Sequence, residues 1–312
     1  MAFSKHVSGV CGFDSQPWRC AATRFPGDVL LPQTHQSSVP HCFGCPDGTT
    51  ISYDHCKAQA SFVNTSLLAA AAAAVPTCSD GAAGGGDCID DVAHLARSKV
   101  FLTRGECRTY TGSAVANTRD VYAKLGASGL AYFDQCNPDG SHKHNDTTAM
   151  CLEHVFGSTA GDGGRGANPL HNFLFPQAPF VTDFDAGFGE LGFAYVPAAC
   201  EGGAVACGVQ VRFHGCGEGT PPDPQTQAFA EKNNIILLGP NVPGQLPWTI
   251  NGNNATEHCN AGTSVSGNCK EISRGCWDGY GQLSAGYYLQ SAAHMLTVWR
   301  MVEHLSNGSL GR

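Results

Sequence analysis

The sequence predicts an α/β fold on a mostly parallel sheet, held together by disulfides. Two stretches that run strand, helix, strand, and sixteen cysteines spread over 312 residues, are the observations that predict it. The first stretch opens on the polar start Ile89-Asp90-Asp91-Val92-Ala93-His94-Leu95-Ala96. It passes into Ser98-Lys99-Val100-Phe101-Leu102-Thr103, a short apolar run that reads as a buried strand. Residues 114–125 place Val115, Val121, Tyr122 and Leu125 at helical spacing and stop at Gly126, which suits a helix of about three turns. Residues 129–133 form the next strand, so the stretch is a parallel crossover unit.

Residues 157–168 carry five glycines and read as a surface loop inside a single domain spanning residues 1–312, with an N-terminal segment of residues 1–156 and a C-terminal segment of residues 169–312. The loop lacks the Gly-Lys-Ser/Thr ending of a phosphate loop, which argues against nucleotide binding. Beyond it, residues 191–196 and 209–213 are strand candidates, and Phe229 to Lys232 close a helix. Ile235-Ile236-Leu237-Leu238, ended by Gly239-Pro240, has the continuous apolar character of a strand buried on both faces. The last element, 285–305, sets Leu289, Ala292, Leu296, Trp299 and Val302 on one face and ends at Asn307-Gly308, as a long amphipathic helix does. No repeat of solenoid period is present.

Eighteen Lys and Arg against 26 Asp and Glu give a net charge of −8, which argues against a nucleic-acid or anionic-membrane partner. With 42% hydrophobic residues the chain can bury a full core, and its longest apolar run, Leu67 to Val75, is too short to span a bilayer. The cysteines, with glycosylation acceptors at Asn64, Asn145, Asn254 and Asn307, predict an extracellular protein. Met1-Ala2-Phe3-Ser4-Lys5 shows no signal-peptide pattern. His41-Cys42-Phe43-Gly44-Cys45 with His55-Cys56 offers a zinc alternative, but no second Cys-x2-Cys accompanies it; disulfides, with no metal and no cofactor, are expected.

The segment richest in chemistry is Val211-Arg212-Phe213-His214-Gly215-Cys216-Gly217, a strand running into a turn of small residues. Such turns aim backbone N–H groups at a developing oxyanion, although His214 also fits a structural role. Some sixty residues later, Ser273-Arg274-Gly275-Cys276-Trp277-Asp278-Gly279-Tyr280 sets a cysteine beside aromatic residues.

These segments, together with Phe193-Ala194-Tyr195-Val196-Pro197-Ala198-Ala199-Cys200 and Ile235-Ile236-Leu237-Leu238, resemble the extracellular poly(3-hydroxybutyrate) depolymerase family. Ala2-Phe3-Ser4-Lys5, Gln16-Pro17-Trp18-Arg19-Cys20 and Ala21 to Pro26 are similar to that family's segment after its catalytic serine. The resemblance spans most of the chain. It implies a circularly permuted α/β-hydrolase-like three-layer sandwich and a monomeric serine esterase acting on a polyester or short-chain ester.

It also implies a Gly-Xaa-Ser-Xaa-Gly elbow ahead of Met1, so these residues alone are expected not to hydrolyse esters. Gly157-Ser158-Thr159-Ala160-Gly161 and Gly281-Gln282-Leu283-Ser284-Ala285-Gly286 do not replace that elbow, and Cys11 reads as half of a disulfide rather than as a thiol nucleophile. Where the family has its triad aspartate this chain reads Gly105-Glu106-Cys107-Arg108, with Arg108 or Cys107 at the acid position and Glu106 as the substitute. The histidine falls in Gly140-Ser141-His142-Lys143-His144: His142 first, His144 second, with a plain polar loop as the other reading. By the same resemblance Cys216 offers its backbone N–H to the oxyanion, while Trp277 and His214 face the substrate. A Cys216–Cys276 disulfide would tie turn to aromatic loop. A noncatalytic secreted binding protein is the alternative, favoured by Arg108, and a stapled adhesive protein is the third reading.

Overall fold

A computed structural model describes residues 1–15, 17–18, 63–79, 86–105, 107, 109–141, 143, 146–157, 172–181, 186–203, 205–217, 219, 221–243, 249–250, 253–254, 275–279 and 286–306. The chain divides into two compact units. One is Met1–Ser158 with Gly279–Gly281 and Tyr288–Gln290; the other is Thr159–Asp278 with Gln282–Tyr287 and Ser291–Arg312.

The first unit is built on three parallel strands, β1 (Gly9–Phe13), β2 (Lys99–Arg104) and β3 (Gly129–Asp134), in the order β1-β2-β3. Val100 and Leu102 of β2 pack on Val115 and Ala127, so α2 (Thr109–Lys124) lies on that face. Phe101 points the other way, beside His154 of α3 (Thr147–Phe156), and Cys151 of α3 is bonded to Cys11 of β1. A helix on each face is what continuous apolar strands require. Helix α1 (Thr65–Ala73) packs against α2; its N-cap Asn64 accepts the Leu67 N–H at 3.0 Å. Helix α2 begins five residues before the expected 114, because the polar run Thr109 to Ser113 carries no apolar period to reveal its first turn.

The second unit holds β4 (Asn172–Pro176), β5 (Leu191–Tyr195), β6 (Gly208–Val211) and β7 (Ile235–Gly239) in the order β4-β5-β7-β6. β6 and β7 are parallel and joined by α4 (Pro224–Asn233), whereas β4, β5 and β7 pair antiparallel, so this sheet is mixed. Ile236 and Leu238 of β7 face a core that includes Val298, Met301 and Leu305 of α5 (Ala293–Ser306). Ile235 and Leu237 face Ala230 of α4 and the buried Tyr195. β6 stops at Val211 rather than at 213: the Arg212 N–H still reaches Leu238 O at 2.8 Å, but Phe213 leaves the sheet with its side chain 55% exposed. A two-residue ladder, β8 (Thr249–Ile250) with β9 (Asn253–Asn254), completes the described strands.

Gln177 is the polar keystone of this unit. Its fully buried amide donates to Gly189 O at 2.8 Å and Asn241 O at 3.0 Å, and accepts the Asn241 N–H at 2.7 Å.

The terminal helix starts at Ala293, not at 285, and it buries a different stripe: His294, Thr297, Val298, Met301 and Leu305. Its late start follows from Gln290, which belongs to the first unit. The Gln290 N–H donates to Cys88 O at 3.0 Å, and its amide donates to Ala2 O at 2.7 Å and to Asp90 Oδ1 at 3.0 Å. Backbone pulled into those bonds cannot join a helix. His294 can turn inward because both of its ring nitrogens are hydrogen-bonded, which removes the cost of burying it. Among the described residues no helix is long and apolar enough to cross a membrane.

Candidate active site

In the second unit the chain leaving β6 forms the turn 213–217. Its conformation is fixed from two sides. Cys216 is bonded to Cys276 with Cα atoms 4.1 Å apart, and the Gly217 N–H donates to Gly275 O at 3.2 Å. Gly217 and Gly275 take φ of 75° and 76°, a region where a side chain is strained. Cys216 is exposed, and among the described residues its N–H has no hydrogen-bond partner. A rigidly held N–H without an internal acceptor is the physical requirement for an oxyanion donor.

His214 braces the turn. The Val242 N–H donates to Nε2 at 3.1 Å, which places the proton on Nδ1, and Nδ1–H donates to Gly215 O at 2.6 Å. The imidazole is therefore neutral in this arrangement, and both nitrogens are occupied by backbone. The half-buried Trp277 donates its Nε1–H to His214 O at 3.1 Å. Its ring is met edge-on by Phe213 at 5.0 Å and Phe188 at 5.7 Å, with His214 and His294 each at 5.2 Å. His294 in turn accepts the Asp278 N–H on Nδ1 at 2.8 Å and donates Nε2–H to Ala186 O at 2.6 Å. The outcome is a disulfide-held turn whose Phe213 and His214 pack on Trp277. Phe213 is the member that sequence reasoning missed; the signal was an apolar residue carried past the end of its strand into a turn.

In the first unit the polar groups gather at the carboxyl ends of the parallel strands. Asp14 follows β1 and accepts the Gly105 N–H on Oδ1 at 2.9 Å. Arg104 and Asp134 pair at 3.6 Å, and Cys107 is bonded to Cys136. The Lys143 N–H donates to Gln135 O at 2.6 Å, and its Nζ to Asp134 O at 2.9 Å. Asp139 accepts from Ser141 through N–H at 2.9 Å and Oγ at 2.6 Å; the Ser141 hydroxyl holds its carboxyl below the usual range.

Glu106, Arg108, His142, His144 and the acceptors Asn145 and Asn307 lie outside the described residues, as does the cysteine–histidine set His41 to Cys56. Their sequence neighbours Gly105, Cys107, Ser141 and Lys143 are described, and all four stand at this edge of the sheet. Cys11 is bonded to Cys151, which removes it as a thiol nucleophile. Asn64 is exposed at the start of α1, and Asn254 belongs to β9.

No protein-family profile matches the chain. A poly(3-hydroxybutyrate) depolymerase of Delftia acidovorans is 29% identical over 301 residues, covering 86% of this chain and 53% of that protein. The chain thus spans about half the length of that curated relative. The crystal structure of PHB depolymerase from Penicillium funiculosum matches 96% of the chain and 87% of its own, with a TM-score of 0.55 at 18% identity. A serine-to-alanine PHB depolymerase complexed with an R3HB trimer matches with the same coverage, a TM-score of 0.56 and 19% identity. The resemblance is upheld: this chain is similar in sequence to a poly(3-hydroxybutyrate) depolymerase along most of its length, and its fold is the α/β-hydrolase-like fold of the solved PHB depolymerases.

Proposed function

We propose that this chain belongs to a secreted carboxylic ester hydrolase that cleaves a polyester of the 3-hydroxybutyrate type. The observation that carries the reading is the turn of the exposed Cys216, held by the Cys276 bridge, the His214 brace and the Trp277 Nε1–H bond to His214 O. The name of the curated relative and the trimer bound by the solved structure supply the substrate class.

On this reading a serine attacks the ester carbonyl and passes its proton to His142, with His144 the second choice. The histidine then protonates the leaving alkoxide, and water repeats the sequence on the acyl-enzyme. The Cys216 N–H holds the oxyanion, and Trp277 offers the acyl chain a large rigid apolar surface. The acid is a carboxylate, for which Glu106 is the candidate by sequence. The chemistry needs no metal or cofactor. The protein works as a monomer outside the cell, without a nucleic-acid or membrane partner, and with glycans on the acceptor asparagines. The five disulfides among the described residues suit that compartment.

A noncatalytic relative that only binds the polymer is the second reading, favoured by Arg108 where the acid belongs. Assay of the full-length protein separates them. Turnover of p-nitrophenyl butyrate and of a 3-hydroxybutyrate trimer, abolished by a serine-directed phosphonate, supports the hydrolase. Adsorption to polymer granules with no turnover of either ester supports the binding protein.

A further inference from the structure

We propose that the buried His294 is a positioning residue, which sets where Trp277 stands in the substrate-binding surface. The inference rests on the hydrolase reading above, in which Trp277 receives the acyl chain. His294 is the only titratable residue in the buried stripe of α5, and it is 7% exposed. An imidazole in such a place is costly unless both of its nitrogens are satisfied. The Asp278 N–H donates to Nδ1 at 2.8 Å, so the ring proton stands on Nε2, which donates to Ala186 O at 2.6 Å. One ring thereby ties two stretches of backbone to the first turn of α5, at the residue after Trp277 and at a residue two before Phe188. The same ring lies 5.2 Å from Trp277 and 5.2 Å from Phe188, both at steep interplanar angles.

An apolar residue would fill this place at no polar cost, as Val298, Met301 and Leu305 do further along the same stripe. What it could not do is accept the Asp278 N–H. The Trp277 indole is held at its tip, where Nε1–H donates to His214 O at 3.1 Å, and the residue before it is held by the Cys216–Cys276 disulfide. The Asp278 bond holds the residue after it. A buried polar network with every member satisfied fixes one arrangement. A ring released from one of its ties must be ordered again when substrate arrives, and that ordering is subtracted from affinity.

Two variants of the full-length protein separate this role from packing. Asparagine and glutamine each lose the ring and one of its two bonds. His294→Asn keeps an acceptor, Oδ1, in the place of Nδ1, whereas His294→Gln keeps a donor, Nε2, in the place of the ring Nε2. Hydrogen exchange at the Asp278 amide, read by NMR, reports the tie, and kcat and KM for a 3-hydroxybutyrate trimer report its effect. His294→Gln should speed exchange at Asp278 and raise KM about tenfold with kcat within about twofold of the parent, because a surface that binds ground and transition states alike acts on KM. His294→Asn should keep Asp278 protected and recover most of the affinity that glutamine loses. Equal KM values in the two variants, faster exchange at Asp278 without a rise in KM, or an Asp278 amide that exchanges no faster in His294→Gln overturns the assignment and leaves the hydrolase reading standing. In a protein that binds the trimer without turnover, the same pattern in its dissociation constant upholds the inference and removes the hydrolase reading alone. A parent that neither binds nor cleaves the trimer removes both.

Discussion

Replacing His214 by phenylalanine isolates the brace from the aromatic packing. The ring stays, and with it the contact to Trp277 at 5.2 Å, but both nitrogens are lost. The Val242 N–H, on a residue that is fully buried, loses its acceptor, and an orphaned buried donor costs about 1–3 kcal/mol. Gly215 is exposed, so its carbonyl turns to water at little cost. The expected loss is about 2 kcal/mol, a sizeable share of the roughly 5–15 kcal/mol that holds a domain folded. Urea unfolding followed by tryptophan fluorescence measures it, with a thermal midpoint lowered by about 5 °C. On the proposed hydrolase reading, ester turnover of the full-length protein should fall as well, because the turn carrying the Cys216 N–H loses one of its anchors. A variant within about 0.5 kcal/mol of the parent would refute the brace, since ring packing alone would then hold the turn.

Two further outcomes are expected. Serine at both Cys216 and Cys276 opens a loop of sequence separation 60, worth about 4 kcal/mol in chain entropy, and calorimetry should show a loss of that order; on the proposed hydrolase reading the full-length protein also loses turnover. Asp223→Ala removes the cap of α4, where Oδ1 accepts the Thr226 N–H at 2.9 Å, and should cost about 1 kcal/mol at pH 7. Burial acts to raise the Asp223 carboxyl, but the Thr226 and Arg212 hydrogen bonds outweigh it and hold the carboxyl below its ordinary 3.8. A depressed carboxyl stabilises the fold above its unfolded value and stops doing so as it protonates. The difference between parent and variant in urea should therefore be full at neutral pH and shrink as pH falls below 3.8.

The strands most legible in the sequence are those buried on both faces. Val100 to Leu102 and Ile235 to Leu238 read as apolar runs because α-helices cover them from either side. β1 is not legible, for the opposite reason. A Cβ at Gly9 would come 2.5 Å from Val155 Cγ1 and 2.9 Å from Lys99 O, so close packing demands a residue of poor strand propensity. The terminal helix is shorter than its pattern predicts: Leu289 and Ala292 continue its period, while Gln290 binds elsewhere in the chain, which no local pattern records. Of the site, the Cys216 turn and Trp277 are readable as segments. The Asp14 bond to the Gly105 N–H at the end of the first sheet is not, because it depends on strand register across 91 residues of sequence.

The Gln177 amide has a consequence for how the second unit is made. It sits next to β4, yet two of its three bonds go to Asn241, 64 residues further along the chain. Until that stretch has been synthesised, a fully desolvated amide has no place to be buried, so the β4 and β5 hairpin cannot close as it does in the finished protein. Fragments that stop before 241 should therefore fail to fold however soluble their composition suggests they are. Nascent chains would carry the edge of this sheet exposed, and open to holdase chaperones, until the segment containing Asn241 has emerged from the ribosome.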